Sequence, residues 1–217
     1  MADAILFDID GTLVDSNEQH VTAWAFAFRE EGHPQEIDAL RMQIGKGGDL
    51  LVPALLPDVD EATRQRLSER QGTYFKEVHL DHVRPFPSAI DLVRRAHASG
   101  RTVVLASSAK REELDHYVEL LGIGDILAAT TSKDEVESSK PEPDIFAAAL
   151  DKIGVAPDRA LVIGDTPYDV RAAARAGIPA IGLTSGPFTK EQLTDAGAIA
   201  VYRDVADLLA QFDSAPL

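Results

Sequence analysis

No cysteine occurs among the 217 residues. Disulfides, zinc–thiolate sites and cysteine nucleophiles are therefore excluded, and any metal must be held by oxygen or histidine. No apolar run reaches the roughly 18 residues that a membrane-spanning helix needs, so no membrane partner is expected. Met1-Ala2-Asp3 leads straight into an apolar run, without the basic region and long apolar segment of a secretory signal, and a cytoplasmic location is the expectation. Positive charge is scarce: 21 Lys and Arg stand against 36 Asp and Glu, a formal net charge of -15. Nucleic-acid binding depends on clustered Lys and Arg, so that class of partner is excluded too. The same field opposes small anions at long range. A phosphate ester would need local cations and a metal to overcome it at short range.

What is present begins near the amino terminus. Ala4 to Phe7 reads as a short buried strand that ends at Asp8-Ile9-Asp10-Gly11-Thr12. In open α/β sheets ligands bind beyond the carboxyl ends of the strands. If the strand continues through Ile9, alternation places Asp8 and Asp10 on one side, where two carboxylates repel unless a cation joins them or one is protonated. A hard divalent ion such as magnesium suits that pair. An isolated Asp-x-Asp-Gly is more often a solvated turn than a catalytic one, and the remainder of the chain has to decide.

A helix is signalled after Ser16, with Val21, Trp24, Ala25 and Phe28 forming an apolar stripe, and it ends at Gly32. The spacing makes Trp24 a core residue. Glu36 to Ile44, Asp49 to Leu56 and Asp60 to Val78 also read as helical, with Gly45-Lys46-Gly47-Gly48 as a flexible break. After Pro85-Phe86-Pro87 the rhythm changes to strands alternating with amphipathic helices. Strands are expected at Thr102 to Ala106, Ile126 to Thr130, Ala160 to Ile163, Ala180 to Leu183 and Ala198 to Val201. The opening strand belongs with this alternation. The expected architecture is a Rossmann-like α/β core with a parallel sheet, residues 1–14 and 86–217, into which an all-α helical cap, residues 15–85, is inserted.

Three further strand ends bring polar residues to the edge where Asp8 and Asp10 lie: Ser107-Ser108, Ser139-Lys140-Pro141, and Gly164-Asp165-Thr166-Pro167-Tyr168-Asp169. Each alone is an ordinary helix cap, surface loop or turn; their order and joint presence are specific. With these motifs the sequence resembles the haloacid dehalogenase superfamily, in the branch with an all-helical cap inserted after the first motif. Within it the phosphoglycolate phosphatase and β-phosphoglucomutase group is most similar. The resemblance spans essentially the whole chain.

The resemblance implies a magnesium-dependent phosphatase acting on a small phosphorylated metabolite, and elementary chemistry assigns matching roles. Asp8 would attack phosphorus and carry an aspartyl-phosphate. Magnesium on Asp8, the backbone carbonyl of Asp10 and the carboxylate of Asp165 would neutralise the approaching anions. Lys140 adds a fixed positive charge, while Ser107 and the amides near Gly11, Thr12 and Ser108 hydrogen-bond the phosphoryl oxygens. Asp10 would protonate the departing alkoxide and later deprotonate the attacking water. Asp169 would support Lys140 or the outer metal shell. Expulsion of a halide needs no proton, so the second acid argues against a dehalogenase.

Substrate choice is expected from the cap. Lys46 on its glycine loop suits a substrate carboxylate, hydroxyl or second phosphate, or it is an exposed connection. His20 sits where family members often carry a histidine, which in the mutase is tied to cap closure, although its spacing to Trp24 also fits a packed core residue. Val14-Asp15-Ser16 and Arg84-Pro85 would be the hinge. Two other functions remain open: a β-phosphoglucomutase-like mutase, which Ala106-Ser107-Ser108-Ala109-Lys110 resembles, and a non-catalytic phosphometabolite-binding module. Gly-Lys-Gly-Gly in place of an arginine-bearing cap loop, and Gly164-Asp165 in place of Glu-Asp, favour hydrolysis. A monomer or a homodimer fits the sequence.

Overall fold

The structure is a computed structural model that describes residues 2–217. Strand β1 (Ala4–Phe7) is completely buried and stops one residue before the first aspartate. The expected continuation through Ile9 does not form. Instead the chain turns tightly around the Ile9 carbonyl, which accepts from the amides of Thr12, Leu13 and Val14 at 3.1, 2.8 and 3.0 Å. A short strand β2 (Val14–Asp15) follows, then helices α1 (Asn17–Glu30), α2 (Ile37–Arg41), α3 (Gly48–Leu55) and α4 (Glu61–Val78), and a return strand β3 (Arg84–Pro85). Helix α2 is shorter than its sequence pattern, because the chain from Met42 onward leaves the helix for turns that reach toward the sheet. Val14 and Asp15 pair antiparallel with Pro85 and Arg84, so the helical segment departs and returns through one narrow ribbon.

Beyond it the chain alternates: α5 (Ala89–Ala98), β4 (Thr102–Ala106), α6 (Arg111–Leu121), β5 (Leu127–Thr131), α7 (Asp144–Ile153), β6 (Ala160–Gly164), α8 (Pro167–Arg175), β7 (Ala180–Leu183), α9 (Lys190–Asp195), β8 (Ala200–Tyr202) and α10 (Val205–Ala210). Helix α9 is too short for apolar periodicity to reveal, and Thr189 with Gln192 closes its start as a reciprocal cap. The six long-range strands form one parallel sheet in the order β5-β4-β1-β6-β7-β8. Crossovers run outward in both directions from the β1–β6 boundary, which makes this edge the switch point where parallel sheets bind ligands. Register completes the placement. Phe7 lies opposite both Leu105 and Ile163, so the residues that follow β1, β4 and β6 emerge together.

Alternation along the strands divides the core. Ile5, Phe7, Val103, Leu105 and Ile163 join Leu92, Leu114 and Leu208 on one face. Ala4, Leu6, Val104 and Val162 join Phe146 and Val170 on the other. The helices between β2 and β3 bury a separate cluster that includes Val21, Trp24, Phe28, Leu51 and Leu67, with Ala25 at its margin. Among the described residues no helix is long and apolar enough to cross a membrane.

Candidate active site

The turn after β1 delivers Asp8 to a buried group of charges. Lys140, only 1% exposed, donates from Nζ to Asp8 Oδ1 and to the Ala106 carbonyl (3.2 Å), and lies 2.7 Å from Asp169 Oδ1. The other oxygen of Asp169 accepts from the amide (3.1 Å) and hydroxyl (2.6 Å) of Thr166 at the start of α8, so this carboxylate is fixed at both ends. Asp165, which follows β6, accepts from Asn17 Nδ2 at 2.9 Å and from Thr12 Oγ1 at 3.3 Å. Gly11 makes that approach possible. Its φ is +74°, and a Cβ there would stand 2.2 Å from both Asn17 and Asp165.

Asp8, Asp165 and Asp169 bring carboxylate oxygens within 4.8 Å of one another around a single lysine. Burial drives the Asp8 carboxyl up to about 7, with Asp169 adding to the rise and Lys140 opposing it. Asp165 is raised well above the carboxylate range by burial and by the charges of Asp169 and Asp8. Burial alone would lower Lys140, but Asp169 and Asp8 hold its ammonium above the ordinary range. Crowded, buried, hard oxygen donors fit magnesium. Asp169 is tied to Lys140 and Thr166 and Asp165 to Asn17 and Thr12, so Asp8 Oδ2, with Thr12 Oγ1 3.5 Å away, is the least engaged oxygen of the group.

Asp10 takes different partners, which corrects the picture of two carboxylates side by side at the end of a strand. Its Oδ1 accepts from Ser16 Oγ at 2.5 Å and lies 3.1 Å from His20 Nε2. Ser16 thus serves Asp10 and makes no side-chain cap on α1. The His20 ring stacks on Phe75 at 3.9 Å, and its Nε2 also lies 3.5 Å from Glu113 Oε1. Tyr117 donates to the same Glu113 oxygen at 3.2 Å. Burial pushes Asp10 up, but the His20 charge and the bonds from His20 and Ser16 more than offset it, and its carboxyl titrates below the usual range. His20 is raised in return: burial lowers it and Asp10 overrides that effect.

Glu113 is pushed up to about 7 by burial, with His20 opposing and Asp10 adding to the rise. A carboxyl whose folded pKa exceeds its unfolded value contributes stability that is present below the unfolded pKa and lost as pH rises through about 7. Glu113→Gln should therefore lose less stability than the wild type between about pH 5 and pH 8. Thermal midpoints measured across that range check this; parallel curves would remove Glu113 from the titrating group.

A cavity of about 260 Å³ lies between this edge and the helical segment, lined among others by Asp8, Asp10, His20, Lys46, Ser108 and Glu113. Ser108 Oγ is buried in its own loop with no hydrogen-bond partner among the described residues. Ser107 is placed otherwise: its Oγ is wholly buried and accepts from the Ala109 amide at 3.0 Å. Lys46 Nζ donates to Gln43 Oε1 at 2.5 Å and rests 4.7 Å above the Tyr168 ring. Trp24 belongs to the helical core and also walls the cavity. Asn17, Glu113 and Asp49 were not singled out by sequence patterns. Asn17 reads as a helix cap and Glu113 as a helix-surface acid, and only the fold shows where they point. A larger cleft, about 420 Å³, lies on the outer face of α1 and α4 beside Phe26 and Tyr74, and holds none of these acids.

The family model for haloacid dehalogenase-like hydrolases matches residues 2–177. A phosphoglycolate phosphatase of Rhodospirillum rubrum is 29% identical over 217 residues, which cover 96% of this chain and 90% of the relative. A validoxylamine A 7'-phosphate phosphatase of Streptomyces hygroscopicus subsp. limoneus is 27% identical across 83% of this chain and 84% of its own length. Among solved structures, a hydrolase from Pseudomonas syringae superposes with a TM-score of 0.91 at 31% identity, covering 97% of this chain and 98% of that one.

Proposed function

The chain belongs to the haloacid dehalogenase-like hydrolase family, and from that premise we propose that it is a magnesium-dependent phosphatase releasing inorganic phosphate from a small phosphorylated metabolite of the phosphoglycolate or sugar-phosphate kind. One observation carries the reading. Asp8, Lys140, Asp165 and Asp169 form a single buried cluster at the switch point, while Asp10, two residues from the nucleophile, turns away to a separate hydrogen-bonded pocket. Two carboxylates with separate roles need separate partners, and Lys140 faces Asp8 while Ser16 and His20 face Asp10. Both named relatives are phosphatases, and their names differ in the alcohol portion.

In this reading residues 1–14 and 86–217 form the catalytic core, and residues 15–85 form a cap hinged at Val14–Asp15 and Arg84–Pro85. An Asp8 oxygen attacks phosphorus, the bond from phosphorus to the substrate oxygen breaks, and Asp10 gives its proton to that oxygen. Water then attacks phosphorus, Asp10 takes its proton, the bond from phosphorus to the Asp8 oxygen breaks, and inorganic phosphate leaves with the Asp8 carboxylate restored. Lys140 holds Asp8 in place and balances charge on the phosphoryl oxygens. Asp8, the carbonyl of Asp10 and Asp165 would hold magnesium, which supplies electrostatic shielding between anions. The loop that carries Ser108, a residue lining the cavity beside Asp8, would contact the phosphoryl oxygens, and Ser107 holds that loop through the Ala109 amide; the Gly11 and Thr12 amides donate to the Val14 and Ile9 carbonyls instead.

The test is phosphate release, with and without magnesium, from p-nitrophenyl phosphate and a panel of phosphorylated metabolites. Folded protein that shows no magnesium-dependent release on any of them would sink the proposal. Conversion of β-glucose 1-phosphate to glucose 6-phosphate in excess of hydrolysis would favour a mutase. Asp10→Asn should lower turnover of an alkyl phosphate by about 10²-fold or more, the scale of a lost general acid. Undiminished hydrolysis of the alkyl ester would remove Asp10 from its role.

A further inference from the structure

The segment that joins α2 to α3 touches the start of α8 and the stretch that carries Lys140, two of the segments that bring residues to the site. Met42 accepts from the Tyr168 hydroxyl at 2.6 Å through its carbonyl. Gly45, at φ +99°, lies so close to Thr166 that a Cβ would stand 2.7 Å from it. A Cβ on Gly47 would stand 2.1 Å from Ser139 Oγ. These glycines serve close approach to the core as well as freedom of the chain.

Asp49 makes the strongest of these contacts. Although it lies in the first turn of α3, where an acid commonly complements its own helix, both of its oxygens are directed across to the core. Oδ1 accepts from Ser139 Oγ at 2.6 Å, and Oδ2 accepts from the Ser139 amide at 3.0 Å and from Lys133 Nζ at 3.3 Å. Ser139 is 1% exposed. Both of its polar hydrogens are therefore satisfied by one carboxylate that belongs to the helical segment. Ser139 directly precedes Lys140, in a stretch between Val136 and Pro143 that has no regular secondary structure to hold it. Unpaired, those two buried donors would carry a desolvation penalty, and the stretch would open to water to relieve it.

From this we infer that Asp49 is a positioning residue for Lys140: it fastens the Lys133–Ser139 loop when the helical segment is docked, and so sets the lysine against Asp8. This rests on the phosphatase reading for its kinetic consequence and on the hydrogen bonds alone for its structural one. Cap closure then does more than exclude water, because the same docking contact completes the charge set beneath the substrate.

The experiment compares the full-length wild type with Asp49→Ala, Asp49→Asn, Ser139→Ala and the Asp49→Ala/Ser139→Ala double variant. Two readouts are taken: hydrolysis of p-nitrophenyl phosphate with magnesium, and residue-resolved amide hydrogen exchange. Asp49→Ala should lower kcat by about tenfold or more, with KM changed much less, and should speed exchange in the Lys133–Lys140 stretch by about tenfold, the size expected when a buried hydrogen bond is lost. Asp49→Asn, which keeps an acceptor, should recover part of both. The double variant should be no worse than Asp49→Ala, because both substitutions remove the same contact. Unchanged exchange in that stretch, or unchanged kcat in Asp49→Ala, would overturn the inference, and so would faster exchange spread through β1, β4 and β6. A folded wild type that releases no phosphate would reject the phosphatase reading, and the exchange data would still decide whether Asp49 orders the loop.

Discussion

Asp8→Asn should reduce phosphate release by at least about 10⁴-fold, the scale seen when a covalent nucleophile is removed, while the protein remains folded. Asparagine keeps the size and planar shape of the side chain, but its amide cannot attack phosphorus. Lys140 keeps Asp169 at 2.7 Å, so the cation is not stranded. The variant should also be less sensitive to alkali. In metal-free wild type the Asp8 carboxyl is raised by burial to about 7. Its contribution to stability is therefore present below its unfolded pKa and lost as pH rises through about 7. Asparagine has no such proton to lose. Asp8→Asn should match or exceed the thermal midpoint of the metal-free wild type at about pH 8. Magnesium-dependent phosphate release within about tenfold of wild type would reject Asp8 as the nucleophile.

Much of this arrangement was legible in the sequence because it is encoded by short-range chemistry. Ala4 to Phe7 and Thr102 to Ala106 are apolar runs bounded by polar residues, and the register of β1 with β4 and β6 follows from their shared burial. Asp8, Asp165 and Asp169 announce themselves by standing at strand ends and a helix start and Lys140 by its Lys-Pro pair in the loop after β5, and the fold brings all four together. What sequence could not show is direction. The Ile9 carbonyl collects three amides and rotates the chain, which sends Asp10 toward Ser16 and His20. Nor does the sequence separate the adjacent serines: Ser107 Oγ accepts from the Ala109 amide, while Ser108 Oγ has no partner among the described residues. Asp49 and Ser139 are 90 residues apart, and no periodicity relates them.

That long-range dependence makes Lys140 the most consequential position after Asp8. Lys140→Ala should abolish detectable turnover and also destabilise the protein, by about 3–5 kcal/mol at neutral pH, the range measured when one member of a buried ion pair is removed. The reason is local charge balance. Lys140 is the only cation in contact with the buried carboxylates of Asp8 and Asp169 among the described residues, and Asp165 lies within the same group. Without it, no cation opposes burial and mutual repulsion, and the folded-state pKa values of Asp8 and Asp165 rise further above their unfolded values. Protonation then relieves the crowding, so the penalty should be small near pH 5 and grow toward pH 8. Magnesium should recover part of the stability by supplying charge to Asp8 and Asp165, yet it should not recover turnover, since Lys140 also balances charge on the transferring group. Lys140→Arg keeps the charge in a broader, planar head. The space between Asp8, Asp169 and the Ala106 carbonyl is fitted to a single ammonium, so arginine should restore stability better than activity. Urea unfolding at both pH values, with and without magnesium, read beside phosphate release, separates these effects. A Lys140→Ala protein as stable as wild type near pH 8 would show that the three carboxylates are not held by this lysine, and wild-type turnover would remove it from the chemistry.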